Sequence, residues 1–361
     1  EQTKYRVNVK LHEYQLQSIE YMINEENDPL GFYRHFYKLG RFDKHENAAF
    51  FYYYSSVFKQ IMVNQHLPAV HGGFLCEEMG LGKTIECIAL IHCNKRNDGE
   101  CSTSKKLVRA EKQANEVGTV WNAQQLKEQE VIHYKSTATL VIAPVSLVGQ
   151  WEKECVDKST RKLKLKRYYN SSRKRDVKLY IDQDIVFTTY GILGKENGTD
   201  RSKHILHMIE WHRIILDESH YIKNGAACTS RNINCLRGVN KWLLSGTPFG
   251  RQVSDIANQL RFLGMKTEHI SALRLASLKR LLSRNGCANS DAVPLLKVMK
   301  HLVMRHKKAQ KFNAKDIVEM TEKEEHVIYV EFEGQQKEYY DKLYATAKER
   351  YEVYKATGNI G

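Results

Sequence analysis

No two of the eight cysteines, at 76, 87, 93, 101, 155, 228, 235 and 287, form a C-x-x-C pair, which argues against a zinc ribbon. Several sit inside apolar runs and read as core residues of a reduced, intracellular chain. No apolar stretch is long enough to cross a bilayer and no signal peptide is visible, so no membrane partner is expected. The glycosylation-like strings at Asn170-Ser171-Ser172 and Asn197-Gly198-Thr199 therefore read as chance. Acidic residues are in deficit: 42 Asp and Glu face 56 Lys and Arg, a formal net charge of +14. Such an excess points to a polyanionic partner, nucleic acid first, with a basic surface kept for solubility as the plain alternative. The 361 residues exceed one compact core, so one large domain with an appendage, or two domains, is expected. The chain starts at Glu1 without Met and ends at Gly361 just past a helical pattern, as a segment of a longer protein would.

Two strings carry chemistry. Residues 77–84 read EEMGLGKT and follow a short apolar run, Gly73 to Cys76. A strand, a glycine-bearing loop and a helix in that order form a phosphate cradle, whose backbone N–H groups and helix N-terminus favour anions. Glu78, Met79, Gly80, Leu81, Gly82, Lys83, Thr84 and Ile85 are its ATP-binding candidates. Lys83 can reach the β- and γ-phosphates and Thr84 can sit on Mg²⁺. Glu77 stands where the strict phosphate-loop pattern has glycine. Residues 216–220 read LDESH and close another apolar run, Ile214 to Leu216. Asp217 is placed to hold the Mg²⁺ and Glu218 to polarise an attacking water. Either string alone would be a turn or a helix start; together they make a nucleotide site.

Further apolar runs at Leu140 to Ala143, Ile185 to Thr188 and Trp242 to Ser245 fit buried parallel strands alternating with helices. The fold class expected is α/β, a RecA-like P-loop lobe with a doubly wound, mainly parallel sheet and a mostly helical C-terminal extension. The lobe is drawn over 1–264, with insertions at about 24–70 and 94–137, and the extension over 265–361. The aromatic-rich first insertion reads as packed, with a base-stacking platform as the sharper reading. The second reads as a partly disordered loop. The basic stretch Arg161 to Lys178 admits a phosphate-contacting face, a nuclear-import signal or a solvated edge. Helices are expected after Pro248 up to Gly264, over Leu273 to Leu282, over Pro294 to Met304 and over Glu338 to Tyr354; a strand is expected over Val327 to Phe332.

Taken in order from Leu11 to about Lys308, these motifs resemble the first ATPase lobe of the SWI/SNF-type chromatin-remodelling ATPases, DNA translocases of helicase superfamily two. Leu11-His12-Glu13-Tyr14-Gln15 is similar to the adenine-recognising segment, which implies a base contact for Gln15. Residues 77–84 resemble the phosphate loop, with Glu77 where Asp is usual. Residues 140–154 and 184–193 resemble the DNA-contacting motifs, which implies DNA contacts for Pro144, Ser146, Gln150, Trp151, Thr189 and Tyr190, and Arg251 joins them. Residues 211–224 are similar to the DEAH-type box, with Ser219 replacing Ala or Gly. Residues 243–248 resemble the motif that couples ATP state to DNA grip, which implies that role for Ser245, Gly246 and Thr247. Gly250-Arg251 stand where the family has Gln-Asn. The basic string 304–308 completes the series. The resemblance implies ATP and Mg²⁺ as cofactors, duplex DNA (nucleosomes among its forms) as partner, a second RecA-like lobe outside this chain, and a nuclear protein. The insertion before the phosphate loop is similar to that of the repair-linked subfamily with an inserted RING domain. A non-hydrolysing ATP-binding scaffold that docks a partner or a ubiquitin ligase is the competing expectation.

Overall fold

The computed structural model describes residues 2–42, 50–63, 69–96, 103–107, 130–170, 173–174, 176–195, 204–222, 224–247, 253–273, 275, 289–312, 315–317 and 324–356. The chain divides into two compact units, 1–317 and 318–361.

The first unit is built on a nine-stranded sheet among the described residues. Helix α1 (Glu13–Asn27) leads to a small antiparallel sheet of β1 (Lys38–Phe42), β2 (Phe50–Ser55) and β3 (Gln60–Val63). Then come β4 (His71–Leu75), α2 (Lys83–Cys93), β5 (Thr103–Leu107), β6 (Glu130–Lys135), β7 (Thr139–Ala143) and α3 (Val145–Asp157). They are followed by β8 (Leu165–Arg167), α4 (Lys178–Ile181), β9 (Ile185–Thr189), α5 (Tyr190–Lys195), α6 (Ile205–Met208) and β10 (Ile209–Leu216). The series continues with α7 (Cys228–Asn234), β11 (Arg237–Leu244), α8 (Val253–Leu263), α9 (Thr267–Ala272), α10 (Asn289–Leu302) and β12 (Val303–Met304). The main sheet runs β12-β4-β11-β10-β7-β9-β8, all parallel, with β6 parallel to β10 and β5 antiparallel to β6.

The apolar runs become strands buried on both faces because successive side chains point to opposite sides. Leu140 and Ile142 of β7 enter one core with Tyr190 of α5, Ile233 of α7, Leu260 of α8 and Val298 of α10. Val141 and Ala143, between them, enter the other with Ile19 of α1, Ile88 of α2 and Trp151 of α3. Helices therefore cover both faces, the doubly wound arrangement expected. Helix α1 is anchored by a buried pair: Glu26 takes two N–H bonds from the Arg213 guanidinium of β10 and one from the Trp242 indole of β11 at 2.8 Å.

Several expectations change, though not that the first insertion packs: it contributes Phe32, Phe58 and Met62 to the core and forms a three-stranded sheet. It is sewn to α9 by His269, which bonds Tyr33 at 2.7 Å and Tyr37 at 2.8 Å and stacks on Phe58. The stretch 94–137 contains β5 and β6, which close an antiparallel pair, so its described ends are ordered; its middle lies outside the described residues. The helix expected over Leu273 to Leu282 also falls outside them, apart from Leu273 and Leu275. Helix α10 begins earlier than expected and stops at Leu302, because Val303 and Met304 are taken into the sheet beside Phe74 and Leu75. The first unit runs past Gly264 to Ile317, so α9 and α10 pack within it.

In the second unit the described residues are a segment without helix or strand, 324–333, and the helix Gly334–Ala356. Val327 to Phe332 is not a strand there. Alternation sets two faces, but a strand also requires a neighbour to take its backbone groups.

Candidate nucleotide site

Three neighbouring parallel strands end level: Leu75 of β4 lies beside Leu244 of β11, and Leu243 lies beside Leu216 of β10. The residues that follow therefore share one edge of the sheet, where ligands of open α/β folds bind. After β4 the chain makes the loop 76–82 and enters α2. Gly82 caps the helix at φ +94°, and a Cβ there would lie 2.5 Å from the Gln15 amide nitrogen, so conformation and space both require glycine. Gly80, at φ +89°, makes the second left-handed turn.

The loop is held from two sides. From α1, the Tyr14 hydroxyl and the Gln15 side-chain amide donate to the Leu81 carbonyl at 2.8 and 3.0 Å. The Gln15 side-chain oxygen accepts from the His12 N–H at 3.0 Å. From the other side, the Cys76 N–H donates to the Met304 carbonyl at 2.7 Å and the Glu78 N–H to the His306 carbonyl at 3.1 Å. Glu77 is fully buried; its carboxylate takes bonds from the Ser18 hydroxyl (2.9 Å) and the His306 N–H (2.8 Å), and pairs with His306 Nδ1 (2.9 Å). This acid, anomalous in the strict phosphate-loop pattern, is thus a clamp between α1, the loop and the string 304–308. The Lys83 ammonium donates to the Glu77 carbonyl at 2.9 Å.

At the end of β10, Asp217 is buried with its carboxylate fixed on both oxygens. The Trp151 indole donates to one at 2.7 Å and the Glu218 N–H to the other at 2.9 Å. Glu218 takes φ +51°, which turns its side chain away from the strand line, and its carboxylate lies 3.1 Å from His220 Nδ1. Burial raises the Asp217 carboxyl above its usual range of about 3.8. The Trp151 bond and the Lys83 charge oppose that rise, which places the lysine within electrostatic reach. At the end of β11, Ser245 donates its N–H to the Leu75 carbonyl at 3.3 Å and accepts the Thr247 N–H at 3.2 Å. A Cβ on Gly246 would lie 3.0 Å from Met79 of the loop.

The edge thus gathers Gln15, the loop 78–82, Lys83, Thr84, Ile85, Asp217, Glu218 and Ser245 to Thr247. Pro144, Ser146 and Gln150, at the exposed start of α3 beyond β7, follow the same edge. Arg251 lies outside the described residues. Trp151, Thr189 and Tyr190, expected to touch DNA, are all buried in this unit. Trp151 holds the Asp217 carboxylate, and the Tyr190 hydroxyl donates to the Asp217 carbonyl at 2.7 Å. Val148, Trp151 and Cys155, at spacings of three and four, form the inward stripe of α3, a signal of burial already present in the sequence. Glu86, three residues after Lys83, gave no such signal. It is fully buried, and neither of its oxygens has a hydrogen-bond partner. Burial first, then the nearby Glu77, pushes its carboxyl well above the usual 4.5.

The donor set fits nucleotide and Mg²⁺. Glycines in left-handed turns aim backbone N–H groups at the loop's concavity, beside a lysine. The Thr84 hydroxyl and Asp217 carboxylate are hard oxygen donors suited to Mg²⁺. Among the described residues no group of three or more His, Cys, Asp or Glu could hold a metal. Phosphate oxygens and water would complete such a shell, as is usual for this ion.

A family model described as the SNF2-related domain matches residues 14–359. The chain is 28% identical over 296 residues to the DNA repair protein rad8 of Schizosaccharomyces pombe, covering 78% of this chain and 24% of that protein. It is 29% identical over 324 residues to the DNA repair protein RAD5 of Mycosarcoma maydis, covering 80% and 23%. The chain spans about a quarter of the length of these relatives. Among solved structures it is similar to the Sulfolobus solfataricus SWI2/SNF2 ATPase core in complex with dsDNA. The TM-score is 0.52 at 19% identity, over 85% of this chain and 46% of that one, a likeness of fold.

Proposed function

The chain belongs to the SNF2-related family, and from that premise we propose that it is the ATP-binding and ATP-hydrolysing lobe of a duplex-DNA translocase that remodels chromatin or protein–DNA complexes in the nucleus, in DNA repair or transcription. The observation that carries this reading is the convergence of the phosphate loop, Asp217-Glu218 and Ser245-Thr247 on one sheet edge. Lys83 neutralises phosphate charge, leaving the Glu77 carbonyl to do so. Thr84 and Asp217 hold Mg²⁺, which when bound neutralises charge on the β- and γ-phosphates. Glu218 orients the attacking water and accepts its proton. Gln15 reads the adenine edge. Gly246 lies against Met79 of the loop, and through it Ser245, Gly246 and Thr247 pass the loop's state to the DNA-facing edge, where Pro144, Ser146 and Gln150 meet phosphate; Arg251 is a further DNA contact by resemblance alone. The dsDNA of the Sulfolobus complex and the repair names of the relatives support this assignment. A second RecA-like lobe in a longer chain supplies the remaining half of the motor.

The test is steady-state ATP hydrolysis by the longest natural chain containing these residues, with and without duplex DNA. Stimulation by duplex DNA that disappears in Lys83→Ala is the expected result. Glu218→Gln should retain ATP binding and lose turnover. A protein that binds ATP but turns over with neither duplex DNA nor RNA would instead be the ATP-binding scaffold.

A further inference from the structure

The nucleotide site contains a cation that the two motifs do not predict. The string after α10 runs alongside the first arm of the phosphate loop, tied by the Cys76–Met304 and Glu78–His306 backbone bonds. Each acid of the loop is spent on holding it. Glu77 takes the His306 N–H, and Glu78 takes the Lys308 N–H at 2.9 Å. This fixes the Lys308 backbone over the loop, and its side chain lies across the face of Gly80. A Cβ at Gly80 would be 3.5 Å from the Lys308 ammonium and 3.6 Å from its Cε. Lys308 is half-buried, and its ammonium has no ion-pair partner among the described residues. Lys83, at the helix start, reaches the loop from the opposite end of the same turn and donates to the Glu77 carbonyl.

Resting on the nucleotide-site reading above, we infer that Lys308 is a second phosphate-binding cation of the site, supplied in cis by the segment that follows α10. A solvated lysine has its backbone free to move and its ammonium surrounded by water. Here the backbone is pinned to a loop carboxylate, and the ammonium is poised over the glycine whose missing side chain leaves the approach open. An ammonium is a compact point charge with three donors, suited to a phosphate oxygen. Its contribution should grow with the number of phosphates, because phosphate is what the loop and its cations would hold. Its neighbour Lys307 carries the same charge but is exposed, with its N–H turned to the Gln310 side chain at 2.7 Å, and serves as a matched control.

The experiment measures the affinity of the 361-residue chain for ATP·Mg²⁺, ADP·Mg²⁺ and AMP by calorimetry at one ionic strength. Wild type is compared with Lys308→Ala, Lys308→Arg, Lys307→Ala and Lys83→Ala, each checked for an unchanged thermal melt. Lys308→Ala should weaken ATP about tenfold, ADP less and AMP not at all, the loss of one charge-assisted bond. Lys308→Arg should recover most of the loss, and Lys307→Ala should bind as wild type. The inference is overturned if Lys308→Ala binds ATP as wild type does while Lys83→Ala loses it. It is equally overturned if Lys307→Ala loses as much as Lys308→Ala, which would mark a general charge effect. Indistinguishable weak signals from wild type and Lys83→Ala would bring down the nucleotide-site reading itself, and this inference with it.

Discussion

At the scale of single residues, the acids near the phosphate loop have separate environments and should answer substitution differently. Asp217 owes its fixed carboxylate to Trp151. Trp151→Phe keeps the ring in the α3 stripe and removes one hydrogen bond to a charged group, worth about 1.5–3 kcal/mol. Turnover should fall by at least tenfold, with a drop of several degrees in the thermal melt; an unchanged kcat would remove Trp151 from the positioning of Asp217. Glu86 is the opposite case, a buried carboxyl with no partner, and it stays protonated where the unfolded chain, titrating near 4.5, does not. Over the window above 4.5 the folded state binds the extra proton, so stability declines as pH rises toward the raised folded value. Glu86→Gln removes that dependence. Its unfolding free energy in urea should match wild type at pH 4 and exceed it at pH 8 by about 1–3 kcal/mol. Parallel pH profiles for the two proteins would contradict the assignment.

At the scale of elements, α1 matters most to the site because Tyr14, Gln15 and Ser18 all reach the loop from it. Its far end is held by Glu26, Arg213 and Trp242. Burial by itself would raise the Glu26 carboxyl, but the Arg213 charge and hydrogen bonds outweigh burial and hold it below 4.5. Its stabilisation is therefore present above the unfolded value and lost as pH falls through the folded one. Breaking this pair leaves a buried charge uncompensated, so Glu26→Ala and Arg213→Ala should each cost about 3–5 kcal/mol in urea unfolding. A combined Glu26→Leu, Arg213→Met variant should recover much of that loss, because no lone charge remains; equal losses in all three would mean the pair itself stabilises. The basic stretch Arg161 to Lys178 also changes meaning at this scale. It includes β8, the edge strand. There Arg161 pairs with Asp184, Lys164 with Asp182, and Arg167 with Glu152. Three of its cations are thus neutralised within the lobe by acids distant in sequence, and the edge is partly self-paired.

At the scale of the whole molecule, the net charge of +14 remains unbalanced after such pairing. Binding to duplex DNA should therefore weaken steeply with salt and show little sequence preference, because phosphate contacts carry no base information. Lys162→Glu and Lys166→Glu, which leave the paired cations intact, should each lower the slope of log affinity against log salt by about one. A slope unmoved by both would place the DNA path elsewhere on the lobe.

Strand order along the chain, the phosphate loop and the Asp-Glu pair were legible in the sequence because each depends on local rules: continuous apolar runs for buried strands, glycine for left-handed turns, and fixed spacing for a loop before a helix. Trp151, Glu77 and Lys308 could not be placed that way. Their meaning depends on partners 66, 229 and 230 residues away, Asp217, His306 and Glu78. The same holds for Val327 to Phe332, whose alternation is local while a strand needs a neighbour. What the chain's composition and periodicity determined was the five central strands, β4, β7, β9, β10 and β11, and the residues able to do chemistry. Which of those residues meet at one edge, and which are buried as supports, was decided only when the parallel sheet set three strand ends level.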